Sequence, residues 1–325
     1  MALPAGQSSD AVSNTTGGEK KVTRTGPPER PHVWASVYDF LCERFPAVGH
    51  AEWSARFAES LVLNAQGDAI TAATPYVPNT HVHYYRRIPD EPVLPFKAQV
   101  LFQDTHLVVA DKPHFMPVTP AGRYVRSSLL VQLKETLGIA TLSPVHRIDR
   151  ETAGLVLFSI HPQERNAYQR LFRERQVEKI YEAIAPVHDN LKLPLTRKSR
   201  IEEDAIFFRS REVLGEPNSE TLIALLRCLD LEKGHALPRK LALYQLTPRT
   251  GKRHQVRIHM NALGIPIVGD QFYPHVLRGP DAPEDFQHPL QLLAKTLAFT
   301  DPFTGQAREF HSALQLLTPP CVHAP

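Results

Sequence analysis

The segment SPVHRIDRETAGLVLFSI, residues 143–160, restricts the fold of this chain more than any other stretch. Its second half, GLVLFSI, is a run of apolar strand formers that has to be buried. Its first half sets five ionisable side chains, His146, Arg147, Asp149, Arg150 and Glu151, against the mouth of that strand. Two readings follow. In the first, the charges form a polar loop facing water, with Asp149 a turn or cap residue salt-bridged to a neighbouring arginine. In the second, arginines hold a carboxylate ionised beside an apolar wall, because nearby positive charge favours the charged form.

The chain around this segment has 325 residues, 42% hydrophobic and 22% charged, which is ample material for the core of a globular protein. A net charge of +3 permits a polyanionic partner without demanding one, so the local distribution of charge matters more than the total. Cys42, Cys228 and Cys321 lie far apart, with no C-x-x-C pair. That argues against a disulfide framework and a cysteine-based zinc site, and it fits a reducing compartment. No apolar run approaches the roughly 18 residues of a membrane span, and the N-terminus lacks a basic-then-apolar leader pattern. A cytoplasmic monomer with no membrane contact is expected.

Residues 1–31 are small, polar and almost free of large apolar groups, and are expected to be a disordered tail. Helical spacing in WASVYDFLCERFPAV and EWSARFAESLVLNAQG predicts two helices, and THVHYYRR predicts a strand. These make a small α/β module over 32–92, with Arg44, Arg56, Arg86 and Arg87 as a candidate basic face. From there the texture changes. KAQVLFQDTHLVVADKP reads as two strands about a turn, VRSSLLVQLKETLG as a helix ending at Gly138, and PQERNAYQRLFRERQ as another helix. VEKIYEAIAPV, TLIALLRCLD and LALYQLTP read as strands, and TGKRHQVRIHMNALG as a basic turn into a helix. Without regular βαβ alternation, residues 93–325 are expected to form an α+β domain, with a mixed, largely antiparallel central sheet flanked by helices.

The 16 histidines do not fall into H-E-x-x-H, and neither a phosphate-binding G-x-x-x-x-G-K-[ST] nor a G-x-G-x-x-G is present. No metal and no nucleotide cofactor is therefore expected. Basic groups are more informative. Arg147, Arg150, Arg165, Arg170, Arg173, Arg175 and Lys179 crowd one stretch, and Lys252, Arg253 and Arg257 another, with Tyr168, Phe172 and Tyr181 interleaved. Cations neutralise phosphates and aromatic faces stack on unpaired bases, so this pattern suits RNA.

HRIDRETAGL resembles the H-R-L-D-x-x-T-S-G signature of the RluA-type pseudouridine synthases, which isomerise uridine in RNA. Three more segments resemble that family in the expected order: VVADKPHFMPVTP, VEKIYEA and TGKRHQVRIHMNALGIPIVGDQFY. The likeness spans roughly residues 96–310. Ile148 and Ala153 are mild departures; HFM after Lys112-Pro113 stands where the family usually has Ala-Gly-Leu, which leaves the shape of that loop open. Residues 186–240 look longer and more charged than the family core requires. More weakly, residues 34–92 resemble the small RNA-binding module named after ribosomal protein S-four.

The resemblance implies a cofactor-free reaction that breaks the sugar–nitrogen bond of a flipped uridine and rejoins the base through ring carbon five. It implies Asp149 as the catalytic aspartate, Arg257 as its ionic partner and Tyr181 as the residue stacking on the base. Arg147 would fill the space the uridine leaves. His146, Arg150, Lys112, Lys179, Arg253 and His254 complete the candidate substrate-binding set, with Lys112 and Pro113 as buttresses. The expected substrate is ribosomal RNA of the large subunit or transfer RNA. The alternative is a catalytically silent RNA-binding or assembly protein of the same fold.

Overall fold

The computed structural model describes residues 7–13, 34–87, 91, 93–122, 124–205, 209–229, 240–277, 279, 282 and 285–316. The chain divides into two compact units, residues 1–91 and 92–325. The smaller holds a three-stranded antiparallel sheet of β1 (Gln7–Ser13), β2 (Val62–Leu63) and β3 (His81–Arg87), in the order β1–β3–β2. Helices α1 (Val37–Arg44) and α2 (His50–Ala58) complete it. Ser36 starts α1 with a reciprocal cap, its side chain accepting from the Asp39 amide while the Asp39 carboxylate accepts from the Ser36 amide. Val37, Phe40 and Leu41 then pack on Trp53, Phe57, Val62 and Tyr84.

Three expectations need correction here. The second helix stops at Ala58, because Val62 and Leu63 leave it to pair with Tyr84 and His83. Gln7–Ser13, expected within a disordered tail, lies antiparallel along the whole of β3, satisfying an edge that would otherwise present unpaired backbone groups; the rest of 1–31 falls outside the described residues. Arg56 is not on an exposed face. It is buried, with its guanidinium over the Trp53 and Tyr84 rings and 2.9 Å from Glu52. The side chains of Arg86 and Arg87 lie outside the described set.

The larger unit is built on one 11-stranded sheet. Its strands are β4 (Gln99–Gln103), β5 (Leu107–Lys112), β6 (Ser143–Pro144), β7 (Ala153–Ser159), β8 (Glu178–Pro186), β9 (Leu195–Glu203), β10 (Ser210–Val213), β11 (Ser219–Leu229), β12 (Leu241–Pro248), β13 (Leu292–Thr300) and β14 (Ala307–His311). They run in the order β10-β9-β11-β12-β8-β13-β7-β5-β4, with β14 beside β13 and β6 beside β7. Every pairing is antiparallel except β7 with β13. The fold is therefore α+β with a mixed, largely antiparallel sheet. The charged strands β9 and β10 had no apolar alternation to announce them.

Strand β7 explains the apolar run. Val156 and Phe158 pack with Val108, Ala110 and α3 (Leu129–Leu137) on one face of the sheet. Leu155 and Leu157 pack with Leu107, Val109 and α4 (Arg165–Arg173) on the other. A strand covered on both sides has no polar face to display. Tyr168 of α4, an RNA-stacking candidate by sequence, is buried in this second layer and donates to Asp301 at 3.1 Å.

Gly154 is the second residue of β7, directly after the charged loop. Its φ is +111°, and a Cβ there would lie 2.3 Å from the Ala294 carbonyl oxygen across the parallel pairing. Both backbone and space demand glycine. Gly154→Ala is expected to destabilise the larger unit by at least about 3 kcal/mol, backbone strain and clash together. Urea denaturation beside Gly279→Ala, where a Cβ meets nothing, checks this.

Helix α5 (Gln255–Ala262) is buried over the six residues Gln255 to Met260. The Gln255 side chain donates to the Glu220 carbonyl and to Thr221, and accepts from the Thr250 hydroxyl at 2.6 Å. His259 reaches Thr221 through Nδ1 at 2.9 Å, and Ser199 and Ser219 through Nε2 at 3.0 and 3.1 Å. Strands β9 and β11 thus grip the helix that carries Arg257.

Candidate active site

The loop from β6 to β7 delivers the charged residues, the end of β5 delivers Lys112, β8 delivers Tyr181, and the start of α5 delivers Arg253, His254 and Arg257. Arg257 is the hub. It is fully buried, and its Nε and Nη2 donate to the two carboxylate oxygens of Asp270 at 2.8 and 2.7 Å. Its remaining nitrogen, Nη1, reaches Asp149 Oδ2 at 3.3 Å and Glu151 at 3.8 Å. Asp270 is itself set by the amides of Phe272 and Tyr273. Burial works against the guanidinium charge, but Asp270, Asp149 and Glu151 outweigh it and hold the pKa above its usual value.

Asp149 keeps 26% of its side chain exposed, enough to meet a ligand. Burial alone would raise its pKa; His254, Arg257 and Arg253 overcome that and hold the carboxyl below the ordinary carboxylate range. Arg150 is not its partner. That guanidinium donates to Glu151 at 2.8 Å and lies over the Tyr124 ring.

Lys112, completely buried, donates to the carbonyls of Pro113 and Arg150 at 2.9 and 3.1 Å, tying β5 to the residue after Asp149. Burial lowers its pKa to about 7, with Glu151 and Asp149 opposing. Tyr181 is half-buried between two apolar clusters of the sheet. Burial and the Asp149 charge both raise its pKa, keeping the phenol neutral. Lys179 donates to the Thr250 carbonyl at 3.2 Å, and Arg147 and Arg253 are exposed. His146 turns inward instead of out: its Nε2 accepts from the Leu157 amide, and its ring stacks 4.4 Å from Phe172. Phe172 is thereby committed to the loop as well.

The profile of the RNA pseudouridylate synthase family matches residues 106–262, which hold all of these elements except Asp270, Phe272 and Tyr273. The dual-specificity RNA pseudouridine synthase RluA of Haemophilus influenzae is 32% identical over 232 residues, 69% of this chain and 94% of that protein. The chain belongs to the RluA-type RNA pseudouridine synthases, a family of isomerases. The tRNA pseudouridine synthase C of Vibrio parahaemolyticus is 27% identical, over 65% of this chain and 88% of that protein. In fold, human RNA pseudouridylate synthase domain containing 1 superposes with a TM-score of 0.54 at 23% identity, over 69% of this chain and 86% of that one.

The structure resolves the shape of the HFM loop that follows Lys112-Pro113. Phe115 takes the left-handed conformation, φ +65°, that glycine would adopt without strain. Its ring is buried, stacked on Phe96 and edge-on to Phe286. Burying phenylalanine is worth about 2 kcal/mol or more, which outweighs a left-handed penalty of roughly 1–2. Beside it, His114 Nδ1 lies 2.7 Å from the Glu151 carbonyl, a second tie on the charged loop that sequence reading missed.

Four histidines of this unit, His254 and His259 buried and His114 and His146 half-buried, are held neutral. Burial is the leading cause in each, lowering the pKa to about 3 for His146 and about 4 for His114, His254 and His259. An unfolded chain takes up these protons near pH 6.5 and the folded chain does not, so stability rises with pH across that window. Stability is expected to fall as pH drops from 6.5 toward 4, by on the order of 3 kcal/mol for each group that must charge. Urea midpoints at pH 7.5, 6 and 5 measure it; a constant midpoint would contradict the account.

Proposed function

We propose that this chain converts specific uridines in structured RNA to pseudouridine, with Asp149 as the reacting carboxylate. One observation carries the reading. A carboxylate about a quarter exposed is held ionised by a buried arginine that is itself locked by Asp270, and Tyr181 contributes an aromatic face from β8. An ionised carboxylate beside a stacking surface suits attack at, or proton abstraction from, the sugar of an extruded nucleotide. Tyr181 stacks on the base, and Arg147, exposed on the same loop as Asp149, enters the space the uridine vacates. Arg253, Lys179 and Arg150 contribute positive charge toward the RNA backbone. Lys112 supports the loop through the Arg150 carbonyl. Residues 34–91 add RNA contacts of their own in this reading.

Large-subunit ribosomal RNA is the first candidate substrate and transfer RNA the second. Both are offered to the purified protein without added cofactor, and pseudouridine is counted by nucleoside mass spectrometry, then mapped in cells with and without the gene. New pseudouridine in one RNA, lost from a defined position on deletion, is the expected result. RNA binding with no pseudouridine formed would leave the silent binding protein instead.

A further inference from the structure

His254, a substrate-binding candidate by resemblance, is turned away from the surface and toward Asp149. It precedes α5 in the left-handed region, φ +57°, and is buried although polar. Nδ1 lies 3.0 Å from the Tyr273 hydroxyl, and Nε2 lies 3.9 Å from Asp149 Oδ2. The ring is stacked on Phe272 and edge-on to Tyr273, so its orientation is fixed. A non-glycine residue held in strained backbone by two aromatic contacts and a hydrogen bond marks a position where orientation matters.

The Tyr273 hydroxyl has one proton and two acceptors in reach, the Ser210 carbonyl at 2.9 Å and His254 Nδ1, and it also accepts from the Ser210 amide at 3.0 Å. If the proton goes to Ser210, Nδ1 carries the histidine hydrogen, and the bare Nε2 lone pair faces a carboxylate. If it goes to Nδ1, an Nε2–H faces that carboxylate instead. Asp149 decides in favour of the second arrangement, because the tautomer of a histidine is set by what each nitrogen meets. Arg257 and His254 then both act on Oδ2, and among the described residues no partner reaches Oδ1.

We infer that His254, held by Tyr273 as its Nε2–H tautomer, is a positioning residue that pins Asp149 Oδ2 and presents Oδ1 to the substrate. This rests on Asp149 being the reacting group. The groups that face the imidazole are Asp149 and Glu151 from the charged loop, Arg253 and Arg257 from its own segment, and Tyr273 from the loop after α5. Burial leads in lowering its pKa, with the two arginines adding and the two carboxylates opposing, so the ring is neutral near pH 7.

Two measurements on the full chain test this. In histidine-labelled protein, nitrogen NMR is expected to show His254, assigned by its disappearance in His254→Gln, protonated at Nε2 and not at Nδ1. Tyr273→Phe should weaken that preference. In single-turnover assays, His254→Ala is expected to lower the rate roughly 10- to 100-fold, the scale of a mispositioned reacting group, with RNA affinity changed less than about twofold. His254→Gln, whose amide N–H reaches the Nε2 position, should recover most of the rate, and the shorter His254→Asn should not. The acid limb of the rate should move upward in His254→Ala and stay in place in His254→Gln. Nδ1 protonation, or a folded His254→Ala with unchanged rate and pH profile, overturns the inference. Wild-type protein that forms no pseudouridine overturns the functional reading instead, and the spectrum still decides the tautomer.

Discussion

Asp149→Asn is expected to reduce pseudouridine formation about 10⁴-fold, the upper range for a positioned acid–base group, while RNA binding changes little. The substitution keeps the shape of the side chain and removes its charge. Arg257 retains Asp270 and Glu151, so the hub and the fold persist. Single-turnover conversion of a mapped RNA, beside a binding isotherm, separates the two effects. Activity within tenfold of wild type would remove Asp149 from the chemistry. The carboxyl is held below its ordinary range, so the wild-type enzyme should keep this group ionised throughout mildly acidic pH. Activity lost between pH 6.5 and 5 would then follow the fall in stability caused by the four histidines, not protonation of Asp149.

Arg257→Met carries the largest expected effect on stability, a loss of about 3–5 kcal/mol, because Asp270 would be left buried and unpaired, with Glu151 beside it. Arg257→Lys is not a mild change. One ammonium cannot grip both oxygens of Asp270 and reach Asp149 as well. Pairing Arg257→Met with Asp270→Leu should recover much of the stability, since an apolar pair can replace a buried ion pair, yet activity should stay lost. Denaturation midpoints for the single and double variants provide the comparison. A single variant as stable as wild type would show that the buried cluster contributes nothing to folding.

What could be read in the sequence depended on whether the decisive partner was local. The charged loop and the buried strand after it were legible because their pattern is written in consecutive residues. The pairing of Asp149 with Arg257, 108 residues away, was legible through the resemblance alone; charge spacing pointed to Arg150, which serves Glu151. Gly154 could be placed in its motif, but the Ala294 carbonyl that forbids a side chain there comes from a strand the sequence did not announce. Tyr168, His146 and Arg56 look like surface groups because their types usually are, and each is satisfied inside by a partner far along the chain or by an aromatic ring. Strands β9 and β10 escaped notice because sheet pairing can recruit charged residues whose side chains bridge to one another, as Arg197 does with Glu212.

Helix α5 is gripped by β9 and β11 through Gln255 and His259 and by the charged loop through Arg257, so the frame around Asp149 has little freedom to yield. An RNA arriving there meets a finished mould. If the base is extruded as proposed, the work of fitting falls on the nucleic acid, at a cost of a few kcal/mol in a paired helix and less where the base is already unpaired. In the proposed reaction, anchoring a protein helix so firmly would act as a filter on RNA secondary structure, admitting uridines by how loosely they are held.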